Sequence, residues 1–157
     1  RQMCIRDSMR LCARAEKSQD DARRLMRGWG LAEREGEQVL ARLVRDRFID
    51  DGRYAEAFVR DKLRLSGWGE YKIRTALQRK RIDRELIDAA LAQADRQDMA
   101  GRLRQQLERK MRTTRHTTQY ELKTKLIRYG LSLGYDYETV LDSAAALVTD
   151  TETCDEF

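Results

Sequence analysis

The sequence predicts an all-α protein built from three tandem three-helix repeats of about fifty residues, and three observations carry that prediction. A pattern recurs as Met26-Arg27-Gly28-Trp29-Gly30-Leu31, Leu77-Gln78-Arg79-Lys80-Arg81-Ile82 and Leu126-Ile127-Arg128-Tyr129-Gly130-Leu131, at offsets of 51 and 49 residues. Ala22, Ile73 and Leu122 stand four positions before each opening apolar residue, and Leu40, Leu91 and Leu141 close the units. Proline, which costs about 3 kcal/mol inside a helix, is absent, and alternating apolar/polar runs are missing. A repeat of this length predicts an elongated array in which each unit buries apolar surface on a neighbour.

The first repeat is expected over 9–47. A short helix covers Met9–Ala15, and Ser18 caps a second, with Asp20 and Asp21 in the first turn where the helix dipole favours negative charge. That helix ends at Gly28-Trp29-Gly30, glycine supplying the positive φ of a C-cap. A third runs over Glu33–Arg47, with Val39, Leu40, Leu43 and Val44 inward. The second repeat covers 48–95. Asp50 or Asp51 caps a helix carrying Tyr54, Ala55, Phe58, Val59 and Leu63 at 3–4 spacing, and Ser66-Gly67-Trp68-Gly69 breaks it. The next helix, 70–81, turns Ile73, Ala76 and Leu77 to the core, and Asp83 caps one with Leu86, Ile87, Ala90 and Leu91 inward. The third repeat, 96–148, opens at Asp98. Met99, Leu103, Leu107 and Met111 form one stripe, Thr118 caps a helix with Leu122, Leu126 and Ile127 inward, Gly130 and Gly134 punctuate the chain, and Asp136 starts the last helix. Residues 149–157 read as a frayed acidic tail. Residues 1–8 show no periodicity; the chain opens on Arg1, and this segment is read as non-native or disordered, outside the fold.

Net charge is +5 but unevenly spread. Segment 53–81 has nine Lys/Arg against three Asp/Glu, segment 102–128 nine against two, and segment 129–157 none against seven. Basic blocks attract polyanions or acidic protein surfaces. Cys4, Cys12 and Cys154 form neither a disulfide framework nor, with the single histidine, a zinc set, so a reducing cytoplasm is expected and no cofactor or metal. No apolar run approaches a membrane span.

Catalysis has no visible constellation. His116 lies in a polar loop without an orienting partner, the Asp20–Asp21 and Asp50–Asp51 pairs stand where caps belong, and no phosphate loop is present. Trp29 and Trp68 sit at helix ends beside glycines, where packing over the turn competes with base stacking; Trp68 is the stronger binding candidate because basic residues surround it. Helix 70–81 sets Lys72 and Arg79, with Lys80, opposite its apolar face, flanked by Arg74 and Arg81. Asparagine is absent, so base-specific readout is not expected, and nucleic-acid binding would be strongly salt-dependent.

The run from Phe48 to Lys62 (Phe48-Ile49-Asp50-Asp51-Gly52-Arg53-Tyr54-Ala55-Glu56-Ala57-Phe58-Val59-Arg60-Asp61-Lys62) resembles the core signature of the RecX regulatory proteins. Gly67-Trp68-Gly69 with Lys72-Ile73-Arg74, Leu77 and Lys80 extends the likeness, as do Leu11–Ser18, Leu126–Ser132 and Gly134-Tyr135-Asp136. The resemblance covers residues 9–148 or so. It implies tandem three-helix repeats in a curved array, and a non-enzymatic modulator that binds the groove of the RecA–DNA filament. Such proteins restrain ATP hydrolysis, filament growth and strand exchange in DNA repair and the SOS response, and some bind single- or double-stranded DNA directly. The contact residues expected here are Arg60, Lys62, Arg64, Trp68, Lys72, Arg74, Arg79, Lys80 and Arg81, with Lys110, Arg112, Lys123, Lys125 and Arg128 as a second set. Surplus charge favours a monomer, without membrane attachment. The alternatives are a free-standing nucleic-acid-binding protein with no recombinase partner, and a small helical hydrolase or nuclease, which would need a paired carboxylate cluster and Mg²⁺-dependent turnover. Arg81 stands where the family usually has glycine, Leu133 where a basic residue is common, and Gly52 where a polar or acidic one is usual.

Overall fold

A computed structural model describes residues 2–148, and helices account for the regular structure among them. These are α1 (Gln2–Arg14), α2 (Gln19–Gly28), α3 (Glu33–Arg45), α4 (Asp51–Asp61), a π-helix (Lys62–Ser66), α5 (Glu70–Arg79), α6 (Arg84–Ala92), α7 (Arg96–Thr113), α8 (Gln119–Ser132) and α9 (Tyr137–Leu147). The tail at 149–157, and Cys154 within it, lies outside the described residues. Packing divides the chain into two compact units. One contains the residues up to Arg60 together with Thr75–Gln93, the other Asp61–Arg74 together with the residues from Ala94 onward.

The first unit is built around Ala22, Met26, Val39, Leu40, Leu43 and Ile49, with Met9, Cys12, Leu31 and Phe48 packed against them. Ser18 caps α2 as expected: its hydroxyl accepts from Asp21 N at 3.1 Å, and the Asp21 carboxylate accepts from Ser18 N at 3.1 Å. Asp50 caps α4 by accepting from Arg53 N, which leaves Asp51 to accept from Gln19 N at 2.9 Å and pin the start of α2 to α4. Three expectations change here. Residues 2–8 form the first turns of α1, because Ile5 shares a stripe with Met9 and Cys12 and is buried in the core. Val44 is exposed rather than inward, and Asp83 stands at the head of α6 without a side-chain cap bond.

The second unit centres on Leu103 and Leu107 of α7, Leu122 and Leu126 of α8 with Leu133 just after it, Tyr135, and Val140 and Ala144 of α9 with Val148 just after it. α7 is capped by Asp95, which accepts from Gln97 N and Asp98 N, so the third repeat opens there rather than at Asp98, and Asp98 pairs with Arg102. Thr118 and Asp136 cap α8 and α9 as expected.

The repeat is real at its core positions: Ala22, Ile73 and Leu122, and Met26, Leu77 and Leu126, are all buried. Its turns also share chemistry. Leu31 N donates to Met26 O and Ile82 N to Leu77 O, the six-to-one bond of a Schellman closure. In the third repeat the equivalent bond runs from Tyr135 N to Gly130 O, because α8 continues a further turn. Gly130 therefore lies inside α8, not at a break. A Cβ there would come within 2.7 Å of Val140 Cγ1, so the glycine lets α8 and α9 approach closely. Leu131, matched to Leu31 and Ile82 in sequence, is exposed, and Tyr135 is buried in its place.

Two turns after helices put a side chain where glycine is favoured. Arg47 has φ 60° and Arg81 has φ 57°, so both arginines hold the left-handed conformation without glycine. Elsewhere backbone meets backbone. Gly69 N donates to Leu133 O at 2.6 Å and Tyr71 N to Gly134 O at 2.9 Å, so the carbonyls just past α8 satisfy amides at the start of α5. Gly134 has φ 96°, and a Cβ on it would meet Lys72 N at 2.6 Å. Leu133 is buried in this junction, which explains an apolar residue where a basic one is common.

Candidate functional site

The expected contact residues fall into separate groups. Arg60, Arg79, Lys80 and Arg81 belong to the first unit; Lys62, Arg64, Trp68, Lys72, Arg74, Lys110, Arg112, Lys123, Lys125 and Arg128 belong to the second. Lys80 is committed internally: its ammonium pairs with the Asp21 carboxylate, joining the end of α5 to α2. Burial pushes the Asp21 carboxyl up, but the bonds from Lys80 and Ser18 and the Lys80 charge outweigh it and hold Asp21 below the usual range. Arg79 and Arg81 are exposed and pair with no carboxylate among the described residues.

In the second unit, the π-helix sends the chain into a turn at Gly67 (φ 66°), and Trp68 N closes back on Lys62 O at 3.0 Å. That closure sets the half-buried Trp68 ring between two cations: the ammonium groups of Lys62 and Lys72 each lie 4.5 Å from its centroid. Cation–π contacts of this kind contribute about 0.5–1 kcal/mol each at exposed sites. Trp68 thus organises two lysines of the basic segment. Arg74 lies 3.5 Å and Arg96 3.7 Å from Glu70, while Arg64 is exposed with no carboxylate partner among the described residues. The π-helix also leaves Leu65 83% exposed beside these charges, a feature no helical periodicity announces.

Three of the second set, Lys110, Lys125 and Arg128, converge on an open groove of roughly 430 Å³ formed by the end of α7, the following loop and one stripe of α8. Lys110, Thr113 and Thr114 line one side; Lys125, Arg128, Tyr129 and Ser132 line the other. Lys110 lies over the Tyr129 ring, 5.0 Å from its centroid. Lys125 is held by Glu121 at 3.0 Å and by Arg115 O at 2.7 Å. Hydrogen bonds from Thr117 N and Oγ1, then the bond and charge of Lys125, lower the Glu121 carboxyl to about 2, so it stays ionised. Arg112 and Lys123 do not line the groove. Thr113, Thr114, Tyr129 and Ser132 were not among the expected contacts; the signal for half of them is the i, i+3, i+4, i+7 spacing of Lys125, Arg128, Tyr129 and Ser132.

Among the described residues no cluster of His, Cys, Asp or Glu could hold a metal ion, and no helix is long and apolar enough to cross a membrane. Trp29 is 40% exposed at the end of α2.

The family described as RecX, second three-helix domain, matches residues 50–91, and RecX, third three-helix domain, matches residues 97–142. A regulatory protein RecX of Clostridium beijerinckii is 30% identical over 138 residues, covering 86% of this chain and 63% of that protein. One from Clostridium botulinum is 33% identical over 97 residues, covering 60% of this chain and 45% of that protein. The chain thus spans under two thirds of the length of these curated relatives. A crystal structure of RecX from Lactobacillus salivarius shares the fold, with a TM-score of 0.81 at 18% identity over 94% of this chain and 95% of that one.

Proposed function

Because this chain belongs to the RecX family of regulatory proteins, we propose that it acts, without catalysis of its own, on the RecA–DNA filament. In this reading it restrains RecA ATP hydrolysis, recombinase activity and filament extension during DNA repair and the SOS response, as a cytoplasmic monomer. The observation that carries the reading is the match of both tandem three-helix domains to the family, on a chain whose basic blocks are displayed at the surface.

The mechanism follows from charge and multiplicity. Arg60, Lys62, Arg64, Lys72, Arg74, Arg79 and Arg81, with Lys110, Arg112, Lys123, Lys125 and Arg128, supply weak contacts to acidic protein surface or DNA phosphate. Such contacts gain strength by acting together along a repeating partner, where each further contact is intramolecular. Restraint requires that the chain bind one filament state more tightly than another, since equal affinity shifts nothing.

The test is the DNA-dependent ATPase of RecA on single-stranded DNA, with and without the protein at substoichiometric ratio. The parent should depress the rate. An Arg64→Glu/Arg79→Glu variant reverses two exposed cations that hold no fold contact among the described residues, so it should melt as the parent does and lose the effect. No change in ATPase rate with the parent rules the proposed activity out; equal inhibition by parent and variant rules out these contacts.

A further inference from the structure

The groove between the end of α7 and α8 sets two lysines and an arginine beside Thr113, Thr114 and Ser132, a lining suited to a phosphodiester chain. Three cations enter it: Lys110, Lys125 and Arg128. Lys110 and Arg128 pair with no carboxylate among the described residues. Lys125 spends two of its three ammonium hydrogens on Glu121 and Arg115 O, which holds it in place and leaves one hydrogen over. Glu121, which holds Lys125, does not itself line the groove, and the charge of the residues that do is positive.

The hydroxyls are part of the preparation. Thr113 and Thr114 donate to Lys110 O at 3.2 and 2.6 Å, and Ser132 donates to Tyr129 O at 2.6 Å. One carbonyl in the last turn of α7, Lys110 O, which would repel an anion, is therefore bonded from within the groove. Tyr129 offers the main aromatic surface, and the Lys110 ammonium stands over its ring. Protein-binding surfaces are enriched in aromatics and arginine and depleted in lysine and serine, whereas phosphate contacts come from Arg and Lys.

We propose that this groove is a nucleic-acid backbone site, in which Lys110, Lys125 and Arg128 hold consecutive phosphates of a DNA strand without reading bases. It rests on the reading of the chain as a partner of a nucleoprotein filament, and assigns the third-repeat cations to the nucleic acid rather than to the protein of that filament.

The test uses the full chain and a fluorescein-labelled thirty-nucleotide oligo(dT), with anisotropy measured over a range of salt. Lys110→Ala/Arg128→Ala removes two phosphate contacts and should reduce the slope of log Kobs against log salt by about 1.4, taking about 0.7 per contact on a single strand. Lys110→Gln/Arg128→Gln, which keeps the aliphatic stems, should do the same. Arg10→Ala/Arg34→Ala removes equal charge from the first unit and should leave the slope as in the parent. An unchanged slope in the groove variants, an equal drop in the charge-matched control, or no oligo(dT) binding by the parent each overturns the assignment. So does saturable binding of inorganic phosphate in the groove at low millimolar concentration, with oligo(dT) affinity independent of strand length, since that marks a site for free phosphate. RecA ATPase, measured separately, reports on the filament reading: a rate that the parent leaves unchanged overturns that reading and leaves the naked-DNA result standing.

Discussion

Replacing Gly69 with alanine places one methyl group against backbone that has no side chain to move aside. A Cβ at Gly69 comes within 2.6 Å of Gly134 C, Gly134 O and Tyr135 N, whereas ordinary contact begins near 3.4 Å. Relief requires the start of α5 and the end of α8 to part by roughly 1 Å, which stretches the Gly69–Leu133 and Tyr71–Gly134 hydrogen bonds from 2.6 and 2.9 Å past the usual limit near 3.2 Å. Overpacking costs about 1–3 kcal/mol, and each weakened backbone bond about 1 kcal/mol, so Gly69→Ala should destabilise by about 3–5 kcal/mol. Urea denaturation followed by circular dichroism measures this as a lower midpoint. Gly101→Ala is the matched comparison: it lies within α7 with nothing within 4 Å of the added atom, and should stabilise by about 1 kcal/mol through helix propensity. A Gly69→Ala cost under about 1 kcal/mol would show that the two helix ends do not meet as tightly as described.

The left-handed arginines make the opposite test. Arg81→Gly and Arg47→Gly should each raise stability by about 0.5–1 kcal/mol, the relief of the left-handed penalty less the entropy glycine adds to the unfolded chain; a fall in the urea midpoint would contradict it. Gly130→Ala should cost about 1–2 kcal/mol, the clash with Val140 exceeding the helix-propensity gain, and a Val140→Ala background should restore part of the loss. Asp21, Asp136 and Glu121 have folded pKa values below their ordinary ones, so their contributions are complete above about pH 4.5 and are lost as pH falls through their folded values, which for Glu121 is about 2. Asp51, raised first by burial, works in the other direction, its contribution present at low pH and lost as pH rises through its folded value. The net expectation is a urea midpoint that declines between about pH 4.5 and 2, and a midpoint that rises over that window defeats it. Lys80→Ala should move the Asp21 carboxyl upward in a carbon-detected titration, since burial is then less opposed.

The helical architecture was legible because its signals are local. Ser18, Thr118 and Asp136 announce their helices by capping the next turn, and Met26, Leu77 and Leu126 announce the repeat by recurring at the same core position. The cationic residues were equally legible as a set, since charge is a property of composition. What they touch was not. Lys80 meets Asp21 across fifty-nine residues of chain, and the lysines flanking Trp68 are brought to it by a π-helix that no periodicity signals.

Residue order along single helices carried the fold class, the caps and the buried stripes, because each depends on neighbours three or four positions away. Packing between helices set the rest. It drew Ile5 into the core, carried α8 past Gly130 against Val140, and closed Gly69 on Gly134, since a steric gap or a hydrogen bond between distant segments exists only once both are in place. The same holds for the α7–α8 groove: Lys110 and Arg128 are ordinary surface cations in the chain, and they become one site because two helix ends bring them together.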